Sequence, residues 1–275
     1  MNKKSRFSFY IFMITMAFFY LPLLVMILFS FNGDRGNKWA GFSMRWYEEL
    51  FSNGQLWHAF LNSFIIAILS AATATLIGTL GAIGLQWFNI KILKKYLNIV
   101  TYLPLIIPEL IIGVSMLMFF SKINIHLDFL SMFYLDNTQI NSIENLFTVF
   151  LAHTTFNIPF VLFIIMSRLE EFDYSVIEAA HDLGANEIKT LYKVIVPMIM
   201  PGIISGFLMA MTLSLDDFVI TKFVSQDSSS MLPLVIFRLI KSGDSQVINA
   251  LSVILVSMTI LMAMASKKVH KYLFK

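Results

Sequence analysis

The chain has 275 residues, of which 57% are hydrophobic and 13% are charged, and its mean hydropathy is +0.75. These values exclude a water-soluble globular protein, because too few polar side chains are present to cover its surface. The chain has no cysteine, which excludes disulfides, thiolate metal sites and a cysteine nucleophile. Its hydropathy predicts a lipid bilayer as its surroundings. Because its net charge is only +3, we expect no nucleic-acid partner.

Long apolar runs predict an all-α membrane protein, because each crossing of the hydrocarbon needs about 20 mostly apolar residues. The first run follows MNKKSRF, as in a signal peptide, but it continues to Phe31 without a small-residue cleavage site, so we interpret it as a span. We predict one transmembrane domain over residues 1–275 with six spans. These are 8–31, 58–87, 97–120, 146–167, 196–219 and 247–266.

The distribution of basic residues predicts the orientation of these spans. With the N-terminus inside, 13 of the 20 lysines and arginines fall in inner segments. The positive-inside rule therefore favours a multi-pass membrane protein with both termini in the cytoplasm.

Three of the segments that connect the spans have compositions that predict their structure. The stretch 32–57 contains GFSMRWYEELF, which predicts a short interfacial helix anchored by Trp46, Tyr47 and Phe51. Docking of a partner is the alternative for this helix. The segment 121–145 is polar and acidic, which indicates an outer loop. The piece MLPLVIFRLI, 231–240, is too short to cross and is typical of an interfacial or re-entrant segment.

A polar helical hairpin is predicted over about 174–196, between the fourth and fifth spans. Asp173 is positioned to cap a helix from Tyr174 to about Leu183, and Gly184 ends it. Asn186 then caps a second helix, with Glu187 in its first turn. On the predicted topology the hairpin is cytoplasmic and can dock a partner.

The hairpin carries the residues Glu178-Ala179-Ala180, then Gly184, and later Val194-x-Val196-Pro197. This pattern resembles the EAA loop of ABC importer permeases, with valines where that family usually has isoleucine and leucine. The resemblance implies a type I importer permease fold in which this region is a coupling helix. It implies that Glu178, Ala179, Ala180, Gly184 and Pro197 couple the chain to an ATP-hydrolysing subunit.

The resemblance extends along nearly the entire chain. The stretches FNGDRGNKWAGFSMRWYEELF, SRLEEFDYSVIEAAHDLGA and TLSLDDFVITKFV are similar to the second (C-type) permease of spermidine/putrescine importers. The resemblance implies a location in the bacterial cytoplasmic (inner) membrane. It also implies a homologous second permease, two ATPase subunits and an extracytoplasmic polyamine-binding protein as partners. The sequence has no G-x-x-x-x-G-K-[ST] loop, so we expect no cofactor in this chain and no enzymatic activity, with ATP and Mg²⁺ bound by the ATPase partner.

Three carboxylates are candidates for the substrate path. Glu109 is predicted near the middle of the third span, where an ionised carboxylate costs about 2.5–3.5 kcal/mol unless it faces water or a partner. Pro104 and Pro108 remove amide donors and can open that helix locally. Glu109 either offers negative charge to ammonium groups from a cavity wall or is bonded to a neighbouring helix.

Asp216 and Asp217 are adjacent, so they point about 100° apart on a helix and at most one can squarely face a central pathway. The resemblance favours a path-lining role. The alternative is solvation at the interface or pairing with Lys222.

Other polar and small residues in the spans are expected to serve packing. We interpret His153 as a hydrogen-bonding partner between helices. Several glycines indicate close-packing seams, either with neighbouring spans or with the second permease. They are Gly78, Gly81, Gly84, Gly202 and Gly206.

Two other functions remain open from the sequence. The same machine can carry another small solute, which a binding assay on the partner distinguishes. An ion-coupled secondary transporter predicts inverted repeats with broken helices in both halves, whereas only Pro104 and Pro108 indicate one.

Overall fold

A computed structural model describes residues 3–36, 38–87, 99, 101–104, 106–123, 137–171, 173–225, 227 and 230–273. Within these residues the secondary structure is helical apart from one isolated bridge between Asn32 and Phe42. The helices are α1 (Lys3–Phe29), α2 (Arg45–Ser52), α3 (Gly54–Trp87), α4 (Glu109–Ile123), α5 (Asn137–Glu170), α6 (Ser175–Asp182), α7 (Glu187–Thr190), α8 (Val196–Asp216), α9 (Val219–Val224), α10 (Leu232–Ser242) and α11 (Ser245–Leu273).

Four helical stretches in the described part of the chain are long and apolar enough to cross a membrane. They are Phe7–Phe29, Gly54–Gln86, Ser142–Glu170 and Glu187–Asp216. These stretches correspond to the predicted first, second, fourth and fifth spans. Helices α4 and α11 lie where the third and sixth spans are predicted, so the count of six spans stays a prediction.

The third predicted span is interrupted by a break in its helix. The chain is helical over 101–104 and bends at Ile107 and Pro108, and α4 starts only at Glu109. The amide of Ile111 donates to Pro108 O at 2.9 Å, so a new helix is initiated there. The predicted opening is confirmed at Pro108, because proline cannot continue the hydrogen-bond ladder, whereas Pro104 lies in a helical stretch.

The segment 121–145 also differs from a simple loop. Residues 124–136 lie outside the described residues, but α5 already begins at Asn137, well before the predicted start of the fourth span. The polar residues 137–145 therefore extend a spanning helix by more than two turns.

The chain forms two compact units. The first comprises residues 1–57 and 236–275, and the second comprises residues 58–235. In the first unit Trp46 is 1% exposed and its indole Nε1 donates to Asn32 O at 2.5 Å. The helix predicted around Trp46 is confirmed as α2, but Trp46 packs inside the protein and is not a membrane anchor.

The second unit is built on α3, α5 and α8. Its first apolar cluster joins buried residues of these helices, among them Ala74, Val161 and Ile199. A second cluster joins α5 to α9 and the start of α10 through Phe156, Ile220 and Leu234. Burying apolar side chains contributes about 25 cal/mol per Å² in water, but inside a bilayer close packing of small residues replaces that driving force.

Glycines set the distance between the helices of this second unit. A Cβ at Gly78 of α3 would lie 2.9 Å from Val161 Cγ1, and one at Gly206 of α8 would lie 3.1 Å from the same atom. Gly81 and Gly202 likewise face Leu162 and Arg168 of α5. These four glycines therefore serve neighbouring helices of the same chain, whereas a Cβ at Gly84 would meet nothing within 4 Å.

Candidate functional site

The first helix of the hairpin, α6, begins with the predicted cap. The Asp173 carboxylate accepts a hydrogen bond from the Ser175 amide at 3.0 Å. Hydrogen bonds from the side chain and the amide of Ser175 hold the pKa of the Asp173 carboxyl below its usual value. An ionised cap satisfies an amide that the helix itself leaves unpaired.

Gly184 ends α6 with a left-handed residue, as predicted. Its φ is +81°, the amide of Ala185 donates to Ala180 O at 3.0 Å, and its own amide donates to His181 O at 2.8 Å. This bonding satisfies carbonyls at the helix end in the manner of a Schellman motif, which favours glycine at the turn. The hairpin therefore has a defined bend.

The second half of the hairpin continues directly into a membrane helix. Asn186 Oδ1 accepts from the Lys189 amide at 2.9 Å, which confirms the second cap. After α7 the chain forms a wider π turn over Leu191–Ile195, in which the Val196 amide bonds to Leu191 O, and α8 follows. Pro197 lies in the first turn of α8, and the wider turn before it leaves room for a ring that would clash with an α-helical carbonyl.

One side of the hairpin packs on the membrane helices. Ile177 contacts the first apolar cluster, and Thr190 is buried. The Tyr174 hydroxyl donates to Leu169 O at 3.2 Å and is hydrogen-bonded by the Gln86 amide. The base of the hairpin is thereby joined to α3 and α5.

The other side of the hairpin is exposed and partly apolar. Leu183 is 89% exposed, Ile188 is 67% exposed and Tyr192 is 68% exposed. Glu178 and Ala179 are exposed on α6, while Ala180 is half-buried. We call Leu183, Ile188 and Tyr192 the apolar tip. Its exposure is typical of a surface that another protein covers.

Glu109 is the first residue of α4 and is exposed. Its predicted place near the middle of the third span stays a prediction, since helical residues lie on both sides of the break at Pro108. A carboxylate in a first helical turn interacts favourably with the helix dipole. An open groove of about 470 Å³ extends along α4 and is lined mostly by its apolar side chains, from Ile107 to Phe120, and Glu109 is not part of the lining.

Asp216 and Asp217 lie at the end of α8 and have opposite environments. Asp216 is exposed, whereas the Asp217 side chain is 4% exposed. Asp217 Oδ1 accepts from the Ile220 amide at 3.2 Å, and Oδ2 accepts from the Thr221 amide at 2.7 Å. Asp217 therefore caps α9, and the predicted alternative of a Lys222 partner is wrong.

The partner of Asp217 is His153, whose Nε2 lies 3.3 Å from Asp217 Oδ2. His153 Nδ1 lies 2.6 Å from Ser214 Oγ. This confirms His153 as a hydrogen-bonding partner between helices. The sequence did not indicate the pairing, because only the fold brings α5 against the end of α8. The described residues contain no group of acidic and histidine side chains suited to a metal ion.

Comparison with known proteins places the chain among transport proteins. Residues 87–275 match the family model described as binding-protein-dependent transport system inner membrane component. The spermidine/putrescine transport system permease protein PotC of Haemophilus influenzae is 37% identical over 93% of this chain and 93% of its own length. The putrescine transport system permease protein PotI of Escherichia coli K12 is 35% identical over 92% of this chain and 86% of its own length.

Solved structures support the same fold. A bacterial ABC transporter involved in the import of the acidic polysaccharide alginate aligns with a TM-score of 0.73 over 99% of this chain and 98% of its own. A second structure shows a bacterial alginate ABC transporter in complex with an alginate pentasaccharide-bound periplasmic protein. It aligns with a TM-score of 0.74 over 99% of this chain and 96% of its own. Both are 15% identical in sequence, so they support the fold alone. The chain has the ABC importer permease fold and belongs to the family of binding-protein-dependent transport system inner membrane components.

Proposed function

We propose that this chain is the transmembrane permease of an ATP-driven importer of polyamines such as spermidine and putrescine. The observation that carries the proposal is the hairpin bent at Gly184, with an apolar tip free to contact another protein and a base bonded to the membrane helices. The similarity to PotC and PotI, over more than nine-tenths of the chain, supports the polyamine substrate.

The importer is expected to contain a homologous second permease, two ATPase subunits and an extracytoplasmic polyamine-binding protein. ATP and Mg²⁺ bind to the ATPase subunits, and this chain carries no covalent chemistry. Both termini and the hairpin lie in the cytoplasm, because that orientation keeps most basic residues inside.

The hairpin transmits movement because it is continuous with α8. Closure of the ATPase subunits on ATP moves residues 174–196, and the capped helices and the π turn carry that displacement into Val196 and Pro197. The third to sixth spans then rotate, and a central cavity shared with the second permease opens alternately to the two sides.

The substrate path needs negative charge that binds polycations weakly. Glu109 and Asp216 are exposed carboxylates of this chain, and both are candidates for contact with the ammonium groups of a passing polyamine. A tight site would trap the substrate, so exposed and partly hydrated carboxylates suit transport better than a closed cage. Asp217 is also a predicted path residue, although its carboxylate oxygens are bonded within the chain.

Uptake by the assembled importer tests this function. The complex is reconstituted in vesicles with the binding protein outside and ATP inside, and uptake of labelled spermidine is measured. We expect uptake that requires ATP and that stops when the ATPase subunits are inactivated by substitution. Uptake that persists under an ion gradient with inactive ATPase subunits would contradict the proposal.

A paired substitution tests the role of the apolar tip. Leu183→Asp should remove most of the ATPase subunits that copurify with the permease, because a charge is placed in an apolar interface. Met44→Asp is the matched control, since Met44 is also exposed but precedes α2 on the opposite side of the predicted topology. Equal recovery of ATPase with both variants would contradict the role assigned to the tip.

A further inference from the structure

Three helices of the second unit, α3, α5 and α8, meet in layers that are spaced one helical turn apart. In the first layer, Ser70 Oγ of α3 donates to Ser214 Oγ of α8 at 3.1 Å, and Ser214 Oγ lies 2.6 Å from His153 Nδ1 of α5. Two turns further along α5, Val161 packs against one glycine of each neighbouring helix. We call these the polar layer and the glycine layer, and a middle layer lies between them.

The middle layer contains Asn157 of α5 and two alanines. Residues four apart share a face of a helix, so Ala74 of α3 and Ala210 of α8 belong to this layer with Asn157. All three residues are 0% exposed. Within the part of the chain that the structure describes, neither Oδ1 nor Nδ2 of Asn157 has a hydrogen-bond partner. A buried amide without partners costs free energy, so this layer destabilises the packing that the structure shows.

The backbone of α5 is weakened at the same level. Pro159 lies inside α5, and its nitrogen carries no proton to donate to Thr155 O, the acceptor four residues earlier. A proline within a helix is a common cause of a sharp bend. The side chain that lacks partners therefore lies within one turn of the point where α5 bends most easily.

An unpaired amide beside a proline favours a second arrangement of the three helices. When α5 bends at Pro159 away from α3 and α8, the middle layer opens and water reaches both polar atoms of Asn157. The hydrogen bonds of the polar layer and the close contacts of the glycine layer oppose this opening. The two arrangements therefore differ little in free energy, and a movement delivered by the hairpin can shift the balance between them.

We propose that α5 is hinged at Asn157 and Pro159, and that the packing of α3, α5 and α8 opens to water there during the transport cycle. Asn157 sets the balance between the two arrangements, because water relieves its unpaired amide only in the open one. This inference rests on the proposed function, since the opening belongs to the transport cycle. It gives the second unit a hinge that is separate from the hairpin and from the carboxylates of the substrate path.

Thiol labelling in the reconstituted importer tests the opening. In an Asn157→Cys variant the new thiol is the only one in this chain. We expect a small water-soluble thiol reagent to modify it at least about tenfold faster during ATP-driven transport than without ATP, since a buried thiol reacts only when the packing opens. Val149→Cys is the matched control, because Val149 is also on α5 and 0% exposed but lies outside the three layers. Equal rates for Asn157→Cys with and without ATP would overturn the inference.

Adding Pro159→Ala to the Asn157→Cys variant tests the position of the hinge. Alanine restores the amide that can donate to Thr155 O, so α5 should resist bending. We expect the modification rate during transport to fall about fivefold, the effect of one added hydrogen bond on an opening equilibrium. An unchanged rate would show that α5 does not bend at Pro159 and would overturn the hinge.

Asn157→Leu tests the role of the amide. Leucine has the same branched arrangement of heavy atoms without the polar atoms, so the closed packing should become more stable. At an equal amount of assembled complex we expect spermidine uptake to fall about fivefold or more, and the complex to survive heating to a higher temperature. Thr155→Val should change neither quantity, because the exposed Thr155 hydroxyl bonds to Leu151 O of its own helix. Unchanged uptake, or lower heat resistance, in Asn157→Leu would contradict the role of the amide.

The same complex separates a failure of this inference from a failure of the proposed function. If the unaltered complex takes up another solute and no spermidine, the proposed function fails. The labelling of Asn157→Cys is then measured during transport of that solute, and it supports or overturns the hinge as before.

Discussion

Gly184 controls the bend of the hairpin through its backbone alone. Its φ is +81°, and a Cβ built there would meet nothing within 4 Å. Any effect of a side chain at this position therefore comes from the backbone conformation. Left-handed backbone costs an ordinary residue about 1–2 kcal/mol, while asparagine tolerates it better.

Two substitutions at Gly184 test whether the backbone conformation at this position, and not the size of the side chain, controls the coupling of transport to ATP hydrolysis. Gly184→Val should lower the polyamine transported per ATP hydrolysed, because the β-branched residue disfavours the bend that links α6 to α8. Gly184→Asn should retain most of the coupling. The measurement is the ratio of spermidine uptake to phosphate release in the reconstituted importer, and equal ratios for the two variants would contradict the role of the bend.

Asn32 organises the segment after α1 through one side chain. Its amide nitrogen lies 3.1 Å from Asp34 O, 3.2 Å from Gly36 O and 2.9 Å from Lys38 O, and its Oδ1 accepts from the Ala40 amide at 2.7 Å. These bonds close a compact loop beneath Trp46, which donates to the Asn32 carbonyl.

Removal of the Asn32 side chain should therefore destabilise this segment. We expect Asn32→Ala to lower the free energy of unfolding by about 2 kcal/mol or more, at a net value of about 1 kcal/mol per hydrogen bond. Asn53→Ala is the matched control, because that side chain makes a single bond to the Leu56 amide. Chemical denaturation of the purified protein in detergent compares them, and an equal loss at both positions would contradict this account.

At the scale of elements, α5 is the helix on which α3 and α8 meet. Val161 lies between Gly78 of α3 and Gly206 of α8, with the same Cγ1 atom nearest to both glycines. The contact distances leave no room for an added methyl group, and an overpacked core typically loses about 1–3 kcal/mol.

The close contact between Gly206 and Val161 predicts that a second substitution can restore thermal stability. Gly206→Ala should lower the melting temperature of the purified chain, and adding Val161→Ala should restore part of it, because the nearest atom is removed. Gly84→Ala should not lower the melting temperature, since no atom lies within 4 Å of its Cβ and alanine is the better helix former. If the double variant melts no higher than Gly206→Ala, the destabilisation does not come from a clash with the Val161 side chain.

Local signals of the elements were predictable from sequence, whereas partners across the fold were not. The caps at Asp173 and Asn186 and the turn at Gly184 depend on residues within one helical turn, so residue type and spacing are sufficient. The burial of Trp46 and the pairing of Asp217 with His153 depend on helices that approach only in the folded chain. Hydropathy alone does not show that a new helix begins at Glu109, because the apolar run continues across Pro108 while the helix does not.

At the scale of the molecule, the account needs a path for movement from the ATPase to the membrane. The hairpin provides one, because its tip is exposed while its base is bonded to α3 and α5 and continuous with α8. The family and the fold fit a permease, and the hairpin is the element through which this chain would receive the energy of ATP hydrolysis.

Cysteine labelling at the tip tests this central claim most directly, because the natural chain has no thiol. In a Leu183→Cys variant of the assembled importer, we expect modification by a membrane-impermeant reagent only from the cytoplasmic side, and crosslinking of the new thiol to the ATPase subunit. Modification from the outer side, or a tip that crosslinks to no subunit of the intact complex, would contradict the account.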